Sequence, residues 1–96
     1  MQQGSFYFYN ISFRRKGNGK WVFAQGEITN GSNKDFNTAV FRLIAFDKNV
    51  LMWTGNIRIM GFRKRHTRPF ELLMEGLDYR TIPAISRYDI YFESGY

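Results

Sequence analysis

Between Phe6 and Glu93 short-period patterns dominate, and no segment keeps the 3.6-residue period of an amphipathic helix. That feature limits the fold more than any other, because a period of two gathers apolar side chains on one face only in a pleated strand. "SFYFYNISFRR" predicts a first strand over about Phe6 to Phe13, aromatic on both faces, so both faces are expected to be covered. "KGNGK" follows, with residues that tolerate positive φ, as a hairpin turn requires. In "WVFAQGEITN", Val22, Ala24, Gly26 and Ile28 share one face, and Trp21, Phe23, Gln25, Glu27 and Thr29 the other.

After the polar loop "NGSNKDFN" comes "TAVFRLIAFD", with Ala39, Phe41, Leu43 and Ala45 on one side. A tight turn at "DKN" leads into "VLMWTGNIRIM", where Leu51, Trp53, Ile57 and Ile59 are expected on the buried face. "PFELLME" alternates Phe70, Leu72 and Met74 with Glu71 and Glu75. "GLDYRTIPAIS" reads as a longer connection with room for a short helical turn, and "RYDIYFES" as a last strand, leaving "ESGY" as a tail. Six strands joined by turn formers predict an antiparallel sandwich or a small barrel. A length of 96 residues suits one domain over 1–96.

The chain has no cysteine, so neither a disulfide framework nor a thiolate metal site is available to it. "MQQGSFYFYN" shows no signal peptide, no apolar run approaches the roughly 20 residues of a spanning helix, and the compartment is left open. "GNGK" lacks the earlier glycine, the following Ser or Thr and the helix of a phosphate-binding loop, and reads as a turn. His66 has no second His or Cys with which to hold a metal. Glu71 and Glu75 share a face but stand roughly 13 Å apart along a strand, beyond the usual acid–base spacing. No serine sits in a nucleophile elbow. No cofactor and no catalytic residue is therefore expected, and the chain is expected not to be an enzyme.

The stretch "GEITNGSNKDFNTAVFRLIAFDKNVLMWTG" resembles the core of the FxLYD family of bacterial and archaeal β-sandwich domains. Gly26, Glu27, Ile28, Thr29 and Asn30 stand where that pattern opens, Phe46 and Asp47 where it has an aromatic–Asp pair, and Phe70 where a later strand begins. The resemblance covers about Trp21 to Glu75, with "RKRHTRP" in place of the usual Pro-Gly loop. It implies an all-β, immunoglobulin-like antiparallel β-sandwich of six to seven strands, and it carries no activity over to this chain. Apart from it, Asn30 is expected to accept a left-handed conformation and to bond its own backbone, and Gly26 to mark a bulge or a close neighbour.

Formal net charge is +6, and without Arg63, Lys64, Arg65 and Arg68 ten basic residues face eight acids. The excess thus lies largely in "GFRKRHTRPF", and those four residues are the candidate contact for an anionic partner. Up-and-down strands would put this loop at the opposite end from "RRKGNGK", so the two basic runs would not merge into one phosphate track. Basic residues at a sheet edge also deter edge pairing. Tyr7, Tyr9 and Tyr91 are the candidate protein-partner face, on condition that they share an outer surface. The leading expectation is a non-enzymatic interaction module of a prokaryotic protein, docking a protein partner or a second copy. Weak binding of nucleic acid or another anionic ligand through residues 63–68 is the alternative, and no membrane insertion is expected.

Overall fold

The computed structural model describes residues 2–3 and 5–96, the first two by backbone alone. The two-residue strand β1 (Gln2–Gln3) precedes β2 (Phe6–Arg15), β3 (Trp21–Asn30), β4 (Phe36–Asp47), β5 (Val50–Phe62), β6 (Thr67–Asp78) and β7 (Arg87–Gly95). One short 3-10 helix, Tyr79–Ala84, joins β6 to β7. The strands form two antiparallel sheets, β1-β2-β3-β6 and β5-β4-β7. Sequence neighbours β2–β3 and β4–β5 pair as hairpins, whereas the chain changes sheet after β3, β5 and β6. With β1 set aside, strands one, two and five face strands three, four and six, the immunoglobulin-like arrangement.

Alternation fills the space between the sheets as expected. Val22, Ala24 and Ile28 of β3 face Ala39, Phe41, Leu43 and Ala45 of β4, and all seven are fully buried. Phe6, Phe36, Phe41, Phe62 and Phe92 form one aromatic cluster, with Phe6 stacked on Phe92 at 4.9 Å and edge-on to Phe41 at 5.0 Å. Pairs of this geometry add about 0.5–1.5 kcal/mol beyond the area they bury.

Bulges explain where alternation misleads. At the β4–β5 pairing Ala45 opposes Trp53 but Phe46 opposes Leu51, so Met52 is an extra residue. One inserted residue reverses every side chain beyond it. Leu51 therefore lies outward and is 56% exposed, a correction to its expected burial. A second bulge, between Tyr9 and Ser12 of β2, puts Asn10 at φ 55°. Opposite it, the missing side chain of Gly26 leaves room for the Ile11 Cδ1 and the Phe70 ring. The expected tail is also corrected: residues 93–95 belong to β7, and Tyr96 exchanges backbone hydrogen bonds with Thr38.

The connections gather at two poles. At one, the Tyr79 N–H donates to the Lys20 carbonyl and the Lys48 N–H to the Ser86 hydroxyl, joining the β2–β3 turn, the β4–β5 turn and the 3-10 helix region. Arg15 strengthens this pole by donating to the Gly19 carbonyl and stacking 3.9 Å above the Tyr79 ring. At the other pole lie the β3–β4 loop, the β5–β6 loop and both ends of the described chain, since Gln3 pairs with Phe6 and the Tyr96 carbonyl accepts from Asn37.

Candidate functional site

The basic loop between β5 and β6 is built around Asn30. This side chain is fully buried at the end of β3. Its Nδ2 donates to the Lys34 carbonyl at 2.9 Å and to the Phe62 carbonyl at 3.3 Å. Its Oδ1 accepts from the Ser32 N–H and hydroxyl, which is the expected bond to its own neighbouring backbone. The expected left-handed conformation falls instead on Asn10, Lys48 and Arg65, the non-glycine residues of positive φ among those described. Strand pairing and buried side-chain bonds hold Asn30 itself extended.

Around that hub the loop's cations divide into two kinds. The Arg65 guanidinium donates to the Gly31 carbonyl at 2.6 Å and to Asn33 Oδ1 at 2.7 Å, while its N–H donates to the Asn30 carbonyl. Arg68 donates from Nη1 to the Met60 and Gly61 carbonyls. Both are thus spent on tying the loop to its neighbours. The Lys64 N–H rests on Asp35 Oδ1, but among the described residues the Arg63 and Lys64 side chains have no hydrogen-bond or ion-pair partner. The structure adds Lys34, which sequence reasoning missed, to the same pole, with its ammonium 5.2 Å from the Phe36 ring centroid. "RRKGNGK" lies at the opposite pole, so the two basic runs stay apart.

The tyrosine face does not assemble. Tyr7 pairs with Thr29 and Tyr9 with Glu27 on the outer surface of the first sheet, whereas Tyr91 pairs with Arg42 on the outer surface of the second. The whole sandwich separates Tyr91 from the other two, which corrects the expectation of one patch. Tyr7 is also occupied locally, because its ring covers Gly31 where a Cβ would otherwise stand. Only Tyr9, 47% exposed, and Tyr91, 36% exposed, present free ring surface, in opposite directions.

Several of the carboxylates have structural partners. Glu71 accepts from Lys16 and Gln25, and the bond from Lys16 holds its carboxyl below the usual range. Asp78 caps the 3-10 helix by accepting the Arg80 N–H, and the Arg80 guanidinium on the same carboxyl brings it down to about 2. Glu93 takes two bonds from Arg42, and Glu27 accepts from Asn10.

The two lateral sides of the sandwich differ. Between β5 and β6, Trp53 Nε1 donates to the Glu75 carbonyl at 3.0 Å, and Arg68 bonds back to β5. The Trp53 ring lies flat in the slot left by Gly55. These two clasps cover strand edges that would otherwise be exposed, with a depression of about 300 Å³ between them. The other side, between β2 and β7, carries no such clasp among the described residues. It opens as a groove of about 380 Å³ lined by Ile11, Phe13, Ile85, Ser86, Arg87 and Tyr88. Phe13 and Tyr88 meet edge to face at 5.6 Å on its floor. β1 pairs with the Phe6–Tyr7 end of β2 and also approaches β7, and β7 ends its sheet. The position beside β7 is where the immunoglobulin arrangement places its last strand.

Compared with protein-family models, with curated proteins and with solved structures, the chain matches none, and the FxLYD resemblance has no further support from them.

Proposed function

We propose that this domain works by binding, without catalysis, and docks a protein partner along the open side between β2 and β7. The observation that carries this reading is the asymmetry of the two sides. Side chains clasp one side, while the other leaves an apolar groove beside an unpaired strand edge. Such an edge offers backbone donors and acceptors to an added strand, and the alternate side chains of that strand find the groove. The engagement of Glu27, Glu71, Asp78 and Glu93 with structural partners fits a scaffold role.

Photo-crosslinking side chains at Phe13 and at Ile85 test this in the native cell. Discrete protein adducts are expected from both positions and none from Met60 on the clasped side. Adducts from neither, or equally from Met60, would count against docking at this side.

A second reading rests on Lys34 joining Arg63 and Lys64 at one pole, which makes a small cationic patch for a polyanion. It predicts oligonucleotide binding that weakens steeply with salt and disappears in the Arg63→Ala, Lys64→Ala double variant. Binding unaffected by that double variant would exclude it.

A further inference from the structure

We infer that the partner at the open side is a second copy of this chain, joined edge to edge through β7 about a twofold axis at Ile90. This rests on the docking reading above and adds the identity of the partner and the register.

A twofold pairing of two antiparallel β7 strands into one continuous sheet must match inward with inward side chains, so only registers in steps of two residues are available. Centring on Tyr91 would oppose Asp89 with Glu93 of the second copy, twice. Centring on Asp89 would oppose that carboxylate with itself. Each of these sets like charges directly across the strands, which is unfavourable.

Centring on Ile90 behaves differently. Arg87 then faces Glu93 of the second copy at both ends of the ladder, joining the Arg42 that already holds that carboxylate within its own chain, and Asp89 faces Tyr91, whose hydroxyl can donate to it. On the inner surface Tyr88 faces Phe92. Centring on Tyr88 also opposes Arg87 with Asp89 but overlaps only Arg87–Asp89 of β7; of the registers that overlap most of the strand, the one at Ile90 sets unlike charges across it, which gives the edge specificity as well as protection. Arg87 is exposed and its ion pair with Asp89 is long at 3.5 Å, while its guanidinium lies 3.9 Å over the Phe46 ring, so the exchange replaces the Asp89 contact and keeps or gives up the stacking on Phe46. The bulge at Glu93 ends the regular ladder there. The resulting sheet has the order β5-β4-β7-β7-β4-β5, and the second copy closes the groove at Phe13, Ile85 and Tyr88. Each copy supplies the other with the strand that its own sheet lacks at this position.

Sedimentation equilibrium of the purified chain, with the charge variants alone and mixed, tests the inference. The wild-type chain is expected to dimerise. Arg87→Glu and Glu93→Arg are each expected to weaken self-association by about 10- to 50-fold, because each turns both symmetric pairs from attraction to repulsion. An equimolar mixture of the two variants should recover association, since both pairs of residues 87 and 93 then set a carboxylate against a guanidinium. Circular dichroism confirms that each variant is folded. Independently of any variant, slowed amide exchange in β7 should appear only as protein concentration rises. A chain still monomeric at about 1 mM, where even a contact of about −4 kcal/mol would show, overturns the inference. So does a dimer that Arg87→Glu leaves intact. Either result leaves the docking reading standing if Phe13 and Ile85 still capture a partner in the cell, and both readings fall if they capture none.

Discussion

Replacing Asn30 should separate two properties of its site, the number of bonds it makes and the absence of charge. Asn30→Ala removes two donated and two accepted hydrogen bonds. The Lys34 carbonyl lies in an exposed loop where water can replace the lost donor, so its share of the cost is below about 1 kcal/mol. The Phe62 carbonyl belongs to a fully buried residue, and losing a donor there costs about 1–3 kcal/mol. With the lost turn at Ser32, the total is about 3 kcal/mol, or a fall of about 15 °C in the melting midpoint of a chain this size.

Asn30→Asp keeps the shape but sets a carboxylate oxygen against the two carbonyls. Burial and those acceptors favour the protonated form, so the folded-state pKa of the introduced group rises above the unfolded value of about 3.9. Its protonated form is then compatible with folding below about pH 4, and the variant loses stability relative to wild type as pH rises through the raised value. Urea unfolding of wild type and both variants at pH 4 and pH 7 measures this as shifts in midpoint at constant slope. The expected result is a deficit for Asn30→Asp that is larger at pH 7 than at pH 4, and larger at pH 7 than that of Asn30→Ala. An alanine variant costing under about 1 kcal/mol, or an aspartate variant with the same deficit at both pH values, would refute the account of Asn30 as a buried neutral hub.

Other parts of the structure give equally direct tests. Gly55→Ala would drive a methyl group into the six-membered ring of Trp53 and displace it from Glu75; thermal unfolding should show a loss of about 2–3 kcal/mol, most of which vanishes in a Trp53→Ala background. Arg68→Ala opens the clasp to β5 and should cost about 1 kcal/mol, with faster aggregation by light scattering at low salt, whereas unchanged aggregation would argue against an edge-covering role. The Asp78 carboxyl is depressed in the folded state by Arg80, so its contribution is present above about pH 4 and is lost as pH falls towards about 2; acid unfolding of Asp78→Asn should lack that part of the slope.

Much of this architecture is legible in the residues, and its failures have local causes. Alternation places Val22, Ala24, Ile28, Phe41 and Leu43 correctly because no bulge interrupts those stretches. It misplaces Leu51 because Met52 is an extra residue, and nothing in "VLMWTG" announces it. Tyr7 and Tyr9 are recognisable as outward residues of one strand, but alternation assigns a face within a strand and does not say which sheet the strand joins. Tyr91 is therefore paired with them wrongly. The cations of the basic loop are visible as charge, yet whether each meets solvent or a carbonyl depends on Gly31, Asn33 and Met60, which only the folded chain brings near. "WTG" carried the clearest unread signal, a large ring two residues from the one type of residue that leaves it a place to lie.

Because both ends of the described chain leave from the pole that holds Asn30, traction applied between them pulls along the direction in which β7 unzips from β4. The ladder would yield one rung at a time, beginning beside Gly95 and moving towards Arg87. Rupture would then need little force, compared with a sandwich whose ends leave at opposite poles and whose rungs must all slip together.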